Sequence, residues 1–326
     1  MKALVLGGTG FIGRRLVSNL LRHRCDVTMA SSGRTSNPFG GEVKTVVFNR
    51  FDPRSMKELM GSLPPYDVVF DQLCYDTRDA EKSVDVFSGR TGRYVFVSSA
   101  AVYRGNEGTV KQVSEHFEEE FDPLHFRVKE GNLHTIGYEE GKRSAEAYLF
   151  QNAPFPVAAA RFTSVAGHDD STLRFQRCVS AVLSDRRIAI PPGGGRRNLV
   201  WVDDAGRFLA WLGLNGKEGA YNGASPEAMD AVEVACRMGD ALGKRPEIVR
   251  LPADGENPFY FTPVDSLLST AKAGREGFAF TPLDRWLPSE ARETVPSPPG
   301  ARNYMTDILE QKEREGTHHV VSRDDR

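Results

Sequence analysis

Short runs of mostly apolar residues punctuate the first third of the chain: Lys2 to Leu6, Asp26 to Ala30, Val43 to Phe48, Asp67 to Phe70 and Arg93 to Ser98. Polar or helix-compatible stretches separate them, and the first of these, Phe11 to His23, carries its apolar positions at helical spacing. Continuous apolar runs predict strands covered on both faces, and strands that alternate with helices predict a parallel sheet. Right-handed crossovers then make the sheet doubly wound, an α/β fold of the Rossmann type.

The turn between the first strand and the first helix reads Gly7-Gly8-Thr9-Gly10-Phe11-Ile12-Gly13. Gly7 suits a tight turn, Gly10 lets a phosphate approach the backbone, and Gly13 allows the helix to pack closely on the strand. The unpaired N–H groups of the helix start supply the positive end, so this is where the diphosphate of a dinucleotide would bind.

After Gly167 the pattern changes. Ser171 to Ser184 reads as a helix and Arg187 to Pro191 as a short strand, followed by a loop of two prolines, three glycines and the pair Arg196-Arg197. Asp203 to Gly213 reads as a helix capped by its aspartates and returning to the first domain. Pro226 to Leu242, Pro263 to Ala273 and Leu283 to Thr294 supply helices for a smaller lobe. The expected organisation is a dinucleotide-binding domain over 1–166 with about 199–214 returning to it, an interleaved substrate lobe over 167–198 and 215–300, and a polar tail over 301–326.

Composition narrows the class of function. At 326 residues, 40% hydrophobic and 26% charged, the chain is an ordinary globular protein, and a net charge of −2 offers no footprint for nucleic acid or an anionic membrane. Cys25, Cys74, Cys178 and Cys236 lack metal-ligand spacing, so no metal is expected. Neither a signal segment nor an apolar run of membrane-spanning length is present in the sequence, and a cytoplasmic location is expected.

Two further segments carry chemistry. In Tyr138-Glu139-Glu140-Gly141-Lys142, tyrosine and lysine share a helix face one turn apart, where an ammonium favours the phenolate and brings a general acid/base toward its working range. The run Val95 to Tyr103 ends a buried strand in Ser98-Ser99, placing a hydroxyl at the carboxyl edge of the sheet, where ligands of open α/β folds bind. A serine that merely caps the strand is the alternative.

Together these residues resemble the extended branch of the short-chain dehydrogenase/reductase superfamily, the NAD-dependent epimerase/dehydratase family. The resemblance spans Lys2 to about Trp286. It rests on the glycine turn, Ser98 to Tyr103, Tyr138 to Lys142, Arg161-Phe162 and the segment Arg197-Asn198-Leu199-Val200-Trp201-Val202-Asp203-Asp204. It implies that Tyr138 is the acid/base, that Lys142 binds the nicotinamide ribose and lowers the tyrosine pKa, and that Ser99 orients the reacting oxygen. It also implies a cofactor surface of Gly7, Thr9, Gly10, Phe11, Ile12, Gly13, Asp52, Leu73 and Arg161, a substrate contact for Arg197 and a homodimer. Ala100 and Ala101 stand where dehydratases of the family carry acidic residues, which speaks against elimination, and Ser164 stands where nucleotide-sugar enzymes carry an asparagine.

At the end of the second strand no carboxylate is available for a ribose 2′-hydroxyl. Ser31, Ser32 and Arg34 are placed to receive a 2′-phosphate instead, with Arg14 or Arg15 as a second cation, so NADP(H) is expected over NAD(H). A solvent-exposed loop is the alternative for Arg34, and a charged surface turn for Arg197. The polar stretch 104–137 reads either as a solvated loop or as a lid. The reading is an oxidoreductase acting on a ketone or secondary alcohol of a small, anionic molecule. The alternatives are an epimerase with the same triad and a non-catalytic cofactor-sensing or RNA-associated protein.

Overall fold

Within Lys2–Leu6 (β1), Ala3 and Val5 join one hydrophobic cluster and Leu4 and Leu6 another, the signature of a strand buried on both faces. The computed structural model describes residues 1–52, 54–56, 58, 63–104, 115–184, 187–190, 194–250 and 265–296. The expected tail over 301–326, positions 105–114 of the polar insertion and positions 191–193 of the Pro/Gly loop lie outside the described residues.

The further strands are Asp26–Ser31 (β2), Lys44–Val47 (β3), Val68–Asp71 (β4), Tyr94–Ser99 (β5), Glu115–His116 (β6), Val157–Phe162 (β7), Ser164–Ala166 (β8), Ile188–Ile190 (β9), Arg197–Trp201 (β10), Gly219–Gly223 (β11), Ala228–Met229 (β12), Ile248–Arg250 (β13) and Leu267–Leu268 (β14). Seven of them form one parallel sheet in the order β3-β2-β1-β4-β5-β7-β11. The fold is the expected doubly wound α/β sheet. Its strand order reverses between β1 and β4, and the carboxyl ends of those two strands open the crevice in which such sheets bind ligands.

Helices Phe11–Arg22 and Val202–Leu214 cover one face, burying Leu16, Val17, Leu20, Phe208, Leu209 and Leu212. Thr77–Phe87 and Tyr138–Asn152 cover the other with Val86, Phe87, Ala145 and Leu149. A separate cluster over Phe175, Val179, Ile188, Leu199, Val234, Met238, Trp286 and Leu287 is the core of the smaller lobe.

Several boundaries differ from expectation. The Val202–Leu214 helix is not capped by its aspartates; Trp201 precedes it, and Asp203 and Asp204 lie in its first turn, bound to Arg15 and to Arg207 and Thr281. The helix expected from Pro226 begins at Ala231, because Asp230 and Glu233 form a capping box there and Ala228–Met229 pairs with β10. The stretch expected as a helix from Pro263 is described only from 265, where β14 precedes a short helix at Ala271–Arg275.

The described part of the polar insertion is largely solvent-exposed, as a solvated loop would be, and is bonded as a strap to the helix that follows it. Lys129 N donates to Ser144 Oγ at 3.1 Å, Thr77 Oγ1 donates to Lys129 O at 2.7 Å, and Gln151 Nε2 donates to Pro123 O and Phe126 O at 2.7 and 2.9 Å. These bonds hold it along the Tyr138–Asn152 helix, which is why a helix so polar is buried over most of its length.

The side of the sheet facing Val202–Leu214 depends on Phe208, which is fully buried among Phe162, Phe278 and Phe280. Phe208→Ala should lower the unfolding free energy by about 3–5 kcal/mol, read from urea denaturation; a loss below about 1 kcal/mol would show that the cluster closes over the gap.

Candidate active site

The glycine turn has the shape a diphosphate needs. Gly7 adopts φ +88°, and its N–H donates to Ala30 O at 2.9 Å, which turns the chain from β1 into the helix. A Cβ on Gly13 would lie 2.2 Å from Gly7 O and 2.9 Å from Gly8 Cα, so only glycine allows this approach. Gly10 is the N-cap and provides no side-chain cap, leaving the first-turn N–H groups directed at the crevice. Thr9, Phe11 and Ile12 are half-buried around the turn. Leu73 follows β4 and would lie 3.2 Å from a Cβ on Gly7. The turn therefore fits the dinucleotide that the sequence implied.

Lys142 is almost fully buried and points to the carboxyl edge of the sheet. Its Nζ donates to Cys74 O at 2.7 Å and to Val97 O at 2.9 Å, and it lies 4.6 and 5.0 Å from the ring centroids of Tyr75 and Phe96. Tyr138 starts the same helix one turn earlier, half-buried against Tyr75 and Leu133. Ser99 ends β5 two residues beyond Val97, its Oγ accepting from Ala101 N at 3.2 Å, which leaves the hydroxyl proton to donate. The fold thus brings Lys142 to the end of the strand that carries Ser99, with Tyr138 on the adjoining turn.

One turn beyond Lys142, Glu146 continues this attachment. Its Oε2 accepts from Ser98 Oγ at 2.5 Å, and its Oε1 accepts from Arg161 Nε and Nη2 at 3.0 and 2.5 Å. Arg161, expected on the cofactor surface, has no surface to offer. It is fully buried, and its remaining donors end on Tyr103 Oη, Glu118 O and Phe121 O, so all five guanidinium N–H groups are occupied by protein acceptors. Sequence reading missed Glu146, although its position four residues after Lys142 placed it on the same helix face.

The other expected cofactor residues are spread along the edge. Ser31 ends β2, buried, with Oγ 3.4 Å from the Gly33 N–H that it accepts; Ser32 and Arg34 are exposed. Asp52 is exposed, its carboxylate accepting from Arg54 N at 2.9 Å. Arg14 and Arg15 are not available as second cations, because Asp169 binds both, at 2.5 and 2.6 Å, and Asp203 binds Arg15 at 3.1 Å. These pairs line a groove of about 570 Å³ that also includes Arg22, Trp201 and Arg207 but none of Ser99, Tyr138 and Lys142.

On the substrate side, Ser164 is half-buried on β8, opposite Leu199. Arg197, considered as either a substrate contact or a surface turn, is no surface turn. It opens β10, is 7% exposed, and its guanidinium pKa is lowered to about 10 by burial first and by the charges of Arg104 and Arg174 second. Among the described residues, no group of His, Cys, Asp and Glu could hold a metal ion and no helix is long and apolar enough to cross a membrane.

The sequence profile of the NAD dependent epimerase/dehydratase family matches residues 3–224. The chain belongs to that family. It is a family of NAD-dependent enzymes, and the matched span includes the glycine turn, Ser99, Tyr138, Lys142 and the Arg197 segment. Among solved structures, dTDP-glucose 4,6-dehydratase from Bacillus anthracis in complex with NAD is similar at TM-score 0.69 and 18% identity, over 90% of this chain and 96% of that one. UDP-glucose 4-epimerase from Thermus thermophilus in complex with NAD gives 0.65 and 20%, over 90% and 100%. UDP-glucuronic acid 4-epimerase from Bacillus cereus gives 0.67 and 16%, over 90% and 98%. None of the curated proteins compared with the chain matches it. At these identities the structural likeness establishes the fold.

Removing Glu146 would leave the Arg161 guanidinium buried without a counter-charge. Glu146→Ala should therefore cost about 3–5 kcal/mol in urea unfolding; a variant within about 1 kcal/mol of wild type would show that the pair holds nothing together.

Proposed function

We propose that the protein is an NADP(H)-preferring oxidoreductase that reduces a ketone, or oxidises a secondary alcohol, on a small anionic substrate. The observation that carries this reading is the attachment of Lys142 to the ends of β4 and β5, through Cys74 O and Val97 O, with Tyr138 one turn before it and Ser99 closing β5.

The Gly7–Gly13 turn would hold the diphosphate, Asp52 the adenine end, Ser31, Ser32 and Arg34 a 2′-phosphate, and Lys142 the nicotinamide ribose. The bound nicotinamide supplies or accepts the hydride. Tyr138 moves the proton: in reduction its phenolic proton passes to the carbonyl oxygen as the carbonyl carbon gains hydride, leaving the phenolate, and in oxidation the phenolate takes the alcohol proton. Ser99 donates its hydroxyl proton to the same oxygen and orients it. Two N–H bonds of the Lys142 ammonium end on carbonyl oxygens, and the third is left for the nicotinamide ribose. With Ala100 and Ala101 after Ser99, no acid stands there for elimination. Arg197, buried beside the charges of Arg104 and Arg174, supports an anionic substrate. A cytoplasmic location fits four cysteines that form no disulfide.

On a substrate found by screening ketones and nucleotide sugars, Tyr138→Phe should lose at least roughly 10²-fold in turnover while binding NADPH within a few-fold of wild type. Full turnover by that variant would remove the triad, and an inverted product without net NADPH consumption would assign the same residues to an epimerase.

Cofactor preference is read separately. With no carboxylate at the end of β2, NADPH should bind at least about tenfold more tightly than NADH, and Arg34→Ala should abolish the difference, because a charge-assisted phosphate contact contributes about 1.5–3 kcal/mol. Equal affinities of the wild-type protein in fluorescence titration would reject the preference.

A further inference from the structure

The turn Cys74-Tyr75-Asp76, between β4 and the Thr77–Phe87 helix, meets the surroundings of Lys142 and Tyr138 at three consecutive residues. The Cys74 carbonyl accepts from Lys142 Nζ at 2.7 Å, and the Tyr75 ring lies 4.6 Å from that ammonium and packs beside Tyr138. Asp76 Oδ2 accepts from Leu133 N at 2.9 Å, and Leu133 belongs to the same small cluster as Tyr75 and Tyr138. Opposite the turn stands Gly141, where a Cβ would lie 2.7 Å from Tyr75 O. The turn and the helix therefore meet backbone to backbone between Tyr138 and Lys142.

A contact packed this closely passes any displacement of the turn on to the ammonium. What holds the turn is Asp79, which is fully buried behind it. Its Oδ2 accepts from Tyr75 N at 2.9 Å, and its own N–H donates to Asp76 Oδ1 at 3.1 Å, so it fixes two of the three turn residues. Arg50 has its close counter-charge in Asp71, at 2.7 Å, whereas Asp79 stands 3.5 Å from Arg50 Nε. A second carboxylate buried beside one guanidinium adds desolvation cost, which a fold built for stability alone would avoid.

We propose that Asp79 is a positioning residue, which acts through the Cys74–Asp76 turn to set the Lys142 ammonium against the nicotinamide ribose. The proposal rests on the cofactor reading above for the contact between Lys142 and the ribose. Asp79 itself meets neither cofactor nor substrate.

Placement and stability are separable by choice of ligand. Asp79→Ala leaves Arg50 paired with Asp71, and it should weaken whichever of NADPH and NADH binds wild type more tightly at least about fivefold in calorimetric titration. ADP, which keeps the diphosphate and lacks the nicotinamide ribose, should bind the variant and wild type alike. In a Lys142→Met background Asp79→Ala should cost nothing further, because a residue that acts through the ammonium has nothing left to place. Asp79→Asn keeps an oxygen for Tyr75 N and should recover most of the affinity. Gly141→Ala, a favourable change for a helix in itself, must push the turn from Lys142; it should weaken the same cofactor and spare ADP, and it carries the test where Asp79→Ala does not fold. Wild-type cofactor affinity in Asp79→Ala or in Gly141→Ala would overturn the proposal. So would an equal weakening of ADP, which would reveal a general loss of structure, or additive losses in the double variant, which would show Asp79 acting elsewhere; these outcomes leave the reading of Lys142 standing. A Lys142→Met variant with wild-type cofactor affinity would overturn that reading and this proposal with it.

Discussion

Arg161 lies wholly inside the protein, and a charge so far from water persists only where another charge and enough acceptors answer it. Glu146 supplies the charge, and Tyr103, Glu118 and Phe121 supply the remaining oxygens. Each partner belongs to a different part of the chain: the Tyr138–Asn152 helix, the segment after β5, and the strap. Because Ser98 donates to the same carboxylate, the helix is tied to β5 at the residue next to Ser99. Breaking the network would free the helix, the strap and the strand end together, so the relative placement of Tyr138, Lys142 and Ser99 depends on it. The neighbouring bonds extend the tie: Tyr103 Oη donates to Asn222 on β11, whose amide donates in turn to His116 O and Ser269 O.

A second buried network does the same for the other side of Lys142. Arg50 pairs with Asp71 at 2.7 Å and donates to Ser83 Oγ at 2.8 Å, and its Nε lies 3.5 Å from Asp79. Asp71 accepts from Leu73 N and Asp79 from Tyr75 N, at 2.8 and 2.9 Å, so the N–H groups of the residues before and after Cys74 are fixed by carboxylates joined through one guanidinium. The Cys74 carbonyl held between them is the one that receives Lys142. One cation, Arg50, thus joins two buried anions, Asp71 and Asp79. An apolar core of the same volume could be as stable, but it would not aim a carbonyl at an ammonium.

Arginines of one type have taken several roles, according to their surroundings. Arg14 and Arg15 are neutralised by Asp169 and Asp203, Arg161 is saturated in the core, and Arg34 stands in solvent beside the end of β2. Arg197 is buried near the charges of Arg104 and Arg174, which raises the cost of its own charge. Residue type alone would not have ranked these positions.

What the sequence determined by itself is the part governed by local pattern. Continuous apolar runs alternating with helices required a two-sided parallel sheet, and the Gly7–Gly13 spacing required a tight strand-to-helix turn, because glycine alone tolerates those backbone positions. Tyr138 and Lys142 fell on one helix face from spacing alone. Only the tertiary structure decided how the long polar side chains are spent. That Arg161 faces inward, that Glu146 stitches the helix to β5, that the insertion is a strap and that the Cys74 carbonyl receives Lys142 all depend on contacts between residues distant in sequence. The physical reason is that burial and hydrogen-bond satisfaction are properties of the whole surroundings of a group, and no local spacing encodes which acceptors the fold will bring to it.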